Sequence, residues 1–230
     1  MKTLVLVFAL LLVMGSACVA DSVSLDIYAG WNMIGLPLVP FNPDPGTIFA
    51  SIPSLDYKLQ RWDPASGGIF YTSDAPEEFG MCLLADGYWL NNISASTITV
   101  TYDGVPDGVP DGSGNMTDMW VSLPGKGAEG AWHLIGLPYN HNIPCDDGSG
   151  TGVNVKFTDG TTLKTWDEAF RATPQWVTDR MQGYNAVGGG YWVSYNGETE
   201  DDTLRAGKGY WVKTLVPNIA MILPAYPVLP

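Results

Sequence analysis

Few side chains in this sequence are equipped for catalysis. Among 230 residues there are two histidines, His133 and His141, and three cysteines, Cys18, Cys82 and Cys145. His133 sits in the apolar run Trp132-His-Leu-Ile-Gly-Leu-Pro138, a context that reads as core, and His141 follows without HExxH or cysteines at zinc spacing. GxSxG, Walker A and a GxGxxG between strand and helix are missing, and Gly188-Gly-Gly190 lacks a phosphate-cradling context. A carboxylate pair for glycoside hydrolysis leaves no local signature, so Asp167 and Glu168, with Asp179 nearby, stay as the best-placed acids for it. The expectation is a protein that is not an enzyme.

Three other groups of residues could hold a ligand or a cross-link. Asp103, Asp107 and Asp111 recur every four residues and are followed by Asn115 and Asp118, an oxygen-rich run that suits Ca²⁺ in a medium rich in it. The competing reading is a solvated acidic linker; Asp146, Asp147 and Asp159 form a second such cluster. Cys82 and Cys145 are either one disulfide or two separate buried thiols. Nine tryptophans raise carbohydrate binding, because indole presents a broad apolar face with a polar edge. Trp166 and Trp176 are the candidate platform, the alternative being that they cover extra elements of the fold.

Charge narrows the partners. Eleven Lys and Arg against 24 Asp and Glu give a net charge of −13, which repels nucleic acid and anionic membrane surfaces. Residues 1–20 carry one lysine, an apolar run from Leu4 to Met14 and small residues up to Ala20, the three-part pattern of a secretory signal peptide. Lipidation at Cys18 competes with that reading, although Gly15 stands where a lipobox has Leu or Val. No later apolar run approaches the ~20 residues of a membrane span. The expected location is extracellular or at the cell surface.

The elements that must position these residues come in two copies. Trp31-Asn-Met-Ile-Gly-Leu-Pro37 returns as Trp132-His-Leu-Ile-Gly-Leu-Pro138. At an offset of 122, Leu59 to Thr72 lies on Met181 to Ser194 without gaps, and Gly87-Tyr-Trp-Leu90 on Gly209-Tyr-Trp-Val212. This predicts repeat one over 21–102, an acidic Gly/Pro linker over 103–118 and repeat two over 119–230, with an insertion at about 142–180. Within each repeat, short β-branched and aromatic runs alternate with turns, and Asp63-Pro-Ala-Ser-Gly-Gly68 reads as a hairpin loop. The expected class is mainly β: two related antiparallel repeats, sandwich- or barrel-like, with one short helix at 161–172 built on Leu163, Trp166 and Phe170. Positions aromatic in both repeats (Trp31 with Trp132, Trp89 with Trp211, Trp62 with Tyr184) read as core.

GWNMIGLP and GYWL in the first copy, with WHLIGLP and GKGYWV in the second, resemble the repeated "GWNLIGLP … GYWV" modules of secreted and cell-surface proteins from bacteria. The resemblance covers most of the chain after residue 20. It implies a β-rich, non-catalytic accessory unit and supplies no catalytic residue. The uncharged tail, Thr214 to Pro230, includes Ala225, Tyr226, Pro227, Val228, Leu229 and Pro230 beyond what repeat one needs, a segment suited to strand addition on a second copy. The reading is thus a structural or interaction protein of an extracellular surface, fibre or matrix, with itself or cell-surface polysaccharide as partner. The alternatives are a carbohydrate-binding module and, third, a glycoside hydrolase-like enzyme.

Overall fold

A computed structural model of the chain describes residues 21–106, 118–145, 155–193 and 203–225. In the first half the elements are β1 (Asp21–Ile27), β2 (Gly30–Gly35), β3 (Val39–Pro40), α1 (Pro45–Ile48), β4 (Leu59–Asp63), β5 (Gly67–Phe70), α2 (Pro76–Phe79), β6 (Gly87–Asn92) and β7 (Ile98–Val105). In the second they are β8 (Met119–Leu123), β9 (Trp132–Gly136), β10 (Ile143–Pro144), β11 (Lys156–Thr158), β12 (Leu163–Thr165), α3 (Trp166–Arg171), β13 (Gln182–Asn185), β14 (Gly190–Val193), β15 (Thr203–Leu204), β16 (Gly209–Lys213) and β17 (Ile219–Leu223). All named strand pairs are antiparallel. The fold is mainly β and sandwich-like.

The inner sheets of the two halves share one strand order, β2-β6-β4-β5 in the first and β9-β16-β13-β14 in the second. Behind each lies an outer sheet, β1-β7-β3 and β8-β17-β11-β12. The outer strands follow from period-two patterning: Val23, Leu25 and Ile27 of β1 are buried between exposed Asp and Ser, and they pair with Tyr102, Val100 and Ile98. Strand β7 runs three residues past Tyr102, so Asp103 belongs to a strand and not to a linker.

The helix in the second half is shorter than the spacing predicts. Thr161 to Thr165 is threonine-rich, and its last three residues pair with β11 as strand β12, leaving Leu163 55% exposed. The helix begins at Trp166, where the Thr165 hydroxyl accepts from the Glu168 amide and the Glu168 carboxylate accepts from the Thr165 amide. Two further one-turn helices, α1 and α2, occur in the first half. Asp44 caps α1 by accepting from the Thr47 amide at 2.8 Å, and a proline opens each.

Each half builds its own core. The first is assembled around Ile27, Leu36, Phe49, Phe79 and Tyr88, and the second around Tyr139, Phe157, Trp166, Tyr210 and Met221. Cys82 lies in the first core and Cys145 in the second; both are buried, and neither is in a disulfide. The disulfide alternative therefore gives way to the two-thiol alternative, because each sulfur is enclosed by its own half. Burial pushes the Cys82 thiol up to about 12, against a hydrogen bond with Tyr88 that lowers it.

Candidate functional site

Strands β2 and β9 are buried on both faces over most of their length, and the second face meets the other half. Along β2, Ile34 and Leu36 enter the first core, while Trp31, Met33 and Gly35 have the opposite parity. Met33 and Leu134, at 2% and 6% exposure, are buried yet belong to neither core. They lie between the halves: a side chain at Gly209 would strike Met33, and one at Gly87 would strike Leu134.

Backbone contacts across this junction occur in pairs with the roles of the halves exchanged. The Gly35 amide donates to the Gly207 carbonyl at 3.3 Å, and the Gly136 amide to the Ala85 carbonyl at 2.8 Å. Ile34 bridges to Lys208, and Ile135 to Asp86. By the sequence repeat, Gly35 matches Gly136, Ala85 matches Gly207 and Asp86 matches Lys208, so the halves meet about a local two-fold. Ala85 and Gly207 both have left-handed backbone, with φ of 65° and 75°. At the centre, a Cβ on Gly35 would stand 2.6 Å from the Gly136 Cα, so only glycine permits the approach.

Away from the glycines the sheets diverge and aromatic rings fill the space. Trp31 meets Trp89 edge to face at 6.2 Å, and Trp132 meets Trp211 in the same way at the same distance. Each pair receives an aromatic ring from the other half: Tyr184 approaches Trp89 at 4.9 Å, and Trp62 approaches Trp211 at 5.0 Å. The Trp62 Nε1–H donates to the Trp132 carbonyl at 2.8 Å, which fixes the indole across the junction.

Two open clefts result. The first, about 340 Å³, is lined by Trp31, Gln60, Phe70, Trp89, Tyr184 and Tyr191. The second, about 360 Å³, is lined by Trp62, Trp132, Gln182, Tyr191 and Trp211. Both fall in the range of small-molecule sites. Gln60 stands opposite Trp89 and Gln182 opposite Trp211, so each cleft has one carboxamide in a corresponding place. Among the described residues no lining side chain is acidic or basic; Lys213 lies over Trp132 with Nζ 5.5 Å from the ring centre.

Tyr191, 59% exposed, borders both clefts because of a one-residue difference between the hairpins. The β4–β5 turn spans 64–66, and the β13–β14 turn spans 186–189. In the tighter turn the Asp63 carboxylate accepts from the Ala65 and Ser66 amides; in the longer one the Asn185 carboxamide oxygen accepts from the Val187 and Gly188 amides. The gapless offset places Tyr191 on Ile69, which packs on the first core. The longer turn slips the register, so Tyr191 falls opposite Tyr184, where the first half has Gly68 opposite Trp62.

The residues singled out from sequence lie elsewhere. Trp166 is fully buried, stacked edge to face on Phe157 at 4.9 Å with its Nε1–H donating to the Thr178 carbonyl. Trp176 is 7% exposed, so neither can serve as a carbohydrate platform. The insertion folds inward, and these two rings complete the second core. Asp167 pairs with Arg171 at 2.8 Å, Glu168 closes the capping box, and Asp179 is held below the usual carboxylate range by its hydrogen bonds to Arg180. Asp103 and Asp118 are described, and the Asp118 carboxylate accepts from the Ala225 amide at 2.9 Å. Asp107, Asp111 and Asn115 lie outside the described residues, as do Tyr226, Pro227, Val228, Leu229 and Pro230 of the tail. Among the described residues no group of three or more His, Cys, Asp or Glu is placed to hold a metal ion. Asp159 is engaged by Thr161 and Thr162, whose amides and hydroxyls donate to it and lower its pKa.

His133 is buried, and desolvation lowers its pKa to about 4; its Nε2 lies 3.4 Å from the Thr214 hydroxyl. Asn32, its counterpart, donates to the Tyr28 and Gly30 carbonyls and accepts from the Tyr28 amide. His141 stacks on Tyr139 at 5.2 Å. The paired tryptophans, read from sequence as core, instead line the clefts. Their signal was parity: Trp31 and Trp132 stand out of phase with Ile34 and Ile135. Tyr191, Phe70 and the two glutamines had no comparable signal, since the hairpin register decides which face they take. No protein-family model, curated protein or solved structure matches the chain, so the likeness to the GWNLIGLP modules rests on the quoted motifs alone.

Proposed function

We propose that this chain is a secreted, non-catalytic interaction protein that binds neutral polysaccharide at the two aromatic clefts. The observation that carries the reading is the recurrence of one set, two edge-to-face tryptophans, a glutamine and an aromatic from the other half, on both sides of the junction. Exposed indole and phenol rings offer apolar area to the C–H faces of sugar rings, and a carboxamide both donates to and accepts from hydroxyls. The absence of charge among the described lining residues, on a chain of net charge −13, favours a neutral ligand over an acidic one. Secretion rests on the signal-like pattern of residues 1–20.

Tryptophan fluorescence of the chain from Asp21, titrated with a panel of neutral polysaccharides, tests this. Quenching or a blue shift is expected with at least one, reduced by Trp31→Ala or Trp132→Ala. Silence across the panel removes the reading. Assembly by strand addition is the second reading, supported by the edge strand β8: Met119-Trp-Val-Ser-Leu123 has no charge, and Trp120 is 60% exposed. Imaging the purified chain with and without residues 225–230 tests it, and a strictly monomeric full-length protein ends it.

A further inference from the structure

We infer that the two clefts are consecutive subsites for one extended, neutral glycan chain, joined by Tyr191, and not two independent sites. This rests on the saccharide reading above and adds to it the number and length of the chains bound. Among the described residues Tyr191 is the one that lines both clefts. Its ring lies 5.6 Å from Tyr184 and 6.3 Å from Trp89 and is more than half exposed, so it stands at the open rim. A sugar ring resting in either cleft meets the same phenol, and a chain leaving one cleft past Tyr191 enters the other.

The departures from symmetry support the same conclusion. A polysaccharide chain has direction, whereas two sites related by a two-fold axis present their contacts in opposite directions. Identical clefts would therefore suit two antiparallel chains, and one chain crossing both requires them to differ. They do. The ring contributed across the junction is Tyr184 in one and Trp62 in the other, and the extra residue in the β13–β14 turn supplies Tyr191 where the first half has Gly68. Gln60 and Gln182 provide one hydrogen-bonding carboxamide in each subsite.

Calorimetric titration of the chain from Asp21 with cello-oligosaccharides and chito-oligosaccharides of increasing length tests the inference. One chain per protein is expected for the longer oligomers, with affinity rising about ten-fold or more once both clefts are reached, because the second engagement becomes intramolecular. Tyr191→Ala abolishes the rise with length, Tyr191→Phe preserves it, and Trp31→Ala and Trp132→Ala each return long oligomers to the affinity of short ones. Tyr191 is on the surface, so an unchanged melting curve confirms that the variant is folded. Two chains per protein with no length dependence overturns the single-chain inference and leaves the saccharide reading standing. No heat and no fluorescence change with either series overturns both.

Discussion

The two halves share the backbone and tryptophan contacts by which they touch and differ most in the elements that one of them lacks. The glycines at the junction, the left-handed residues that receive their hydrogen bonds and the edge-to-face tryptophans occur twice. Strands β10, β11, β12 and β15 and helix α3 occur only in the second half, on or beside its outer sheet. The exchanges at the junction itself are Met33 against Leu134, Trp62 against Tyr184, Ala85 against Gly207 and Asp86 against Lys208. An outer face accepts an insertion that brings its own core, here Phe157 and Trp166.

The comparison is broken most forcefully at the two-fold. Gly35→Val places its side chain among the Gly136 Cα, the Lys208 carbonyl and the Leu137 amide, all backbone within 2.9 Å, and is expected to cost about 3 kcal/mol or more. Calorimetry should then show the halves melting separately. Gly190→Ala, with nothing within 4 Å, should change stability by less than about 0.5 kcal/mol.

Acid should separate the halves next. His133 is neutral in the folded chain with a pKa near 4, while the unfolded chain takes up a proton below about 6.5, so its contribution is complete above pH 6.5 and is lost as pH falls toward 4. The loss approaches about 3 kcal/mol. Asp86 works in the opposite sense. Burial raises its pKa to about 6, so its contribution is present below about 4 and is lost as pH rises through 6. Protection against hydrogen exchange, taken relative to the intrinsic rate at each pH, should therefore fall more at β9 than at β2 between pH 7 and 4.5. His133→Asn, which installs the residue of the first half, should remove most of that difference; an unchanged pH slope in the variant would show that His133 is not the cause.

The smallest effect concerns the thiols. With Cys82 and Cys145 in separate cores, a reductant should leave the melting temperature unchanged, and thiol reagents should react only after unfolding. Any reductant-dependent shift would mean that the halves are covalently tied.

The sequence was most legible where one rule acted alone. Alternation at Ile98, Val100 and Tyr102 yields a strand. It misled where two rules competed. Leu163, Trp166 and Phe170 have helical spacing, but strand pairing with β11 claimed Leu163. The tryptophans shared by both copies were legible as packed residues but not as residues packed against the other copy, because both faces of β2 and β9 are apolar.

The sequence alone determined the β class, the duplicated motifs, the hairpin turn at 63–68 and the small number of histidines and cysteines, because these follow from local pattern and composition. Only the tertiary structure decided which tryptophans face outward. It enclosed Trp166 and Trp176, and through one extra residue in a turn it brought Tyr191 to the rim of both clefts. A side chain's face depends on register, and register is settled by what each strand finds on either side of it.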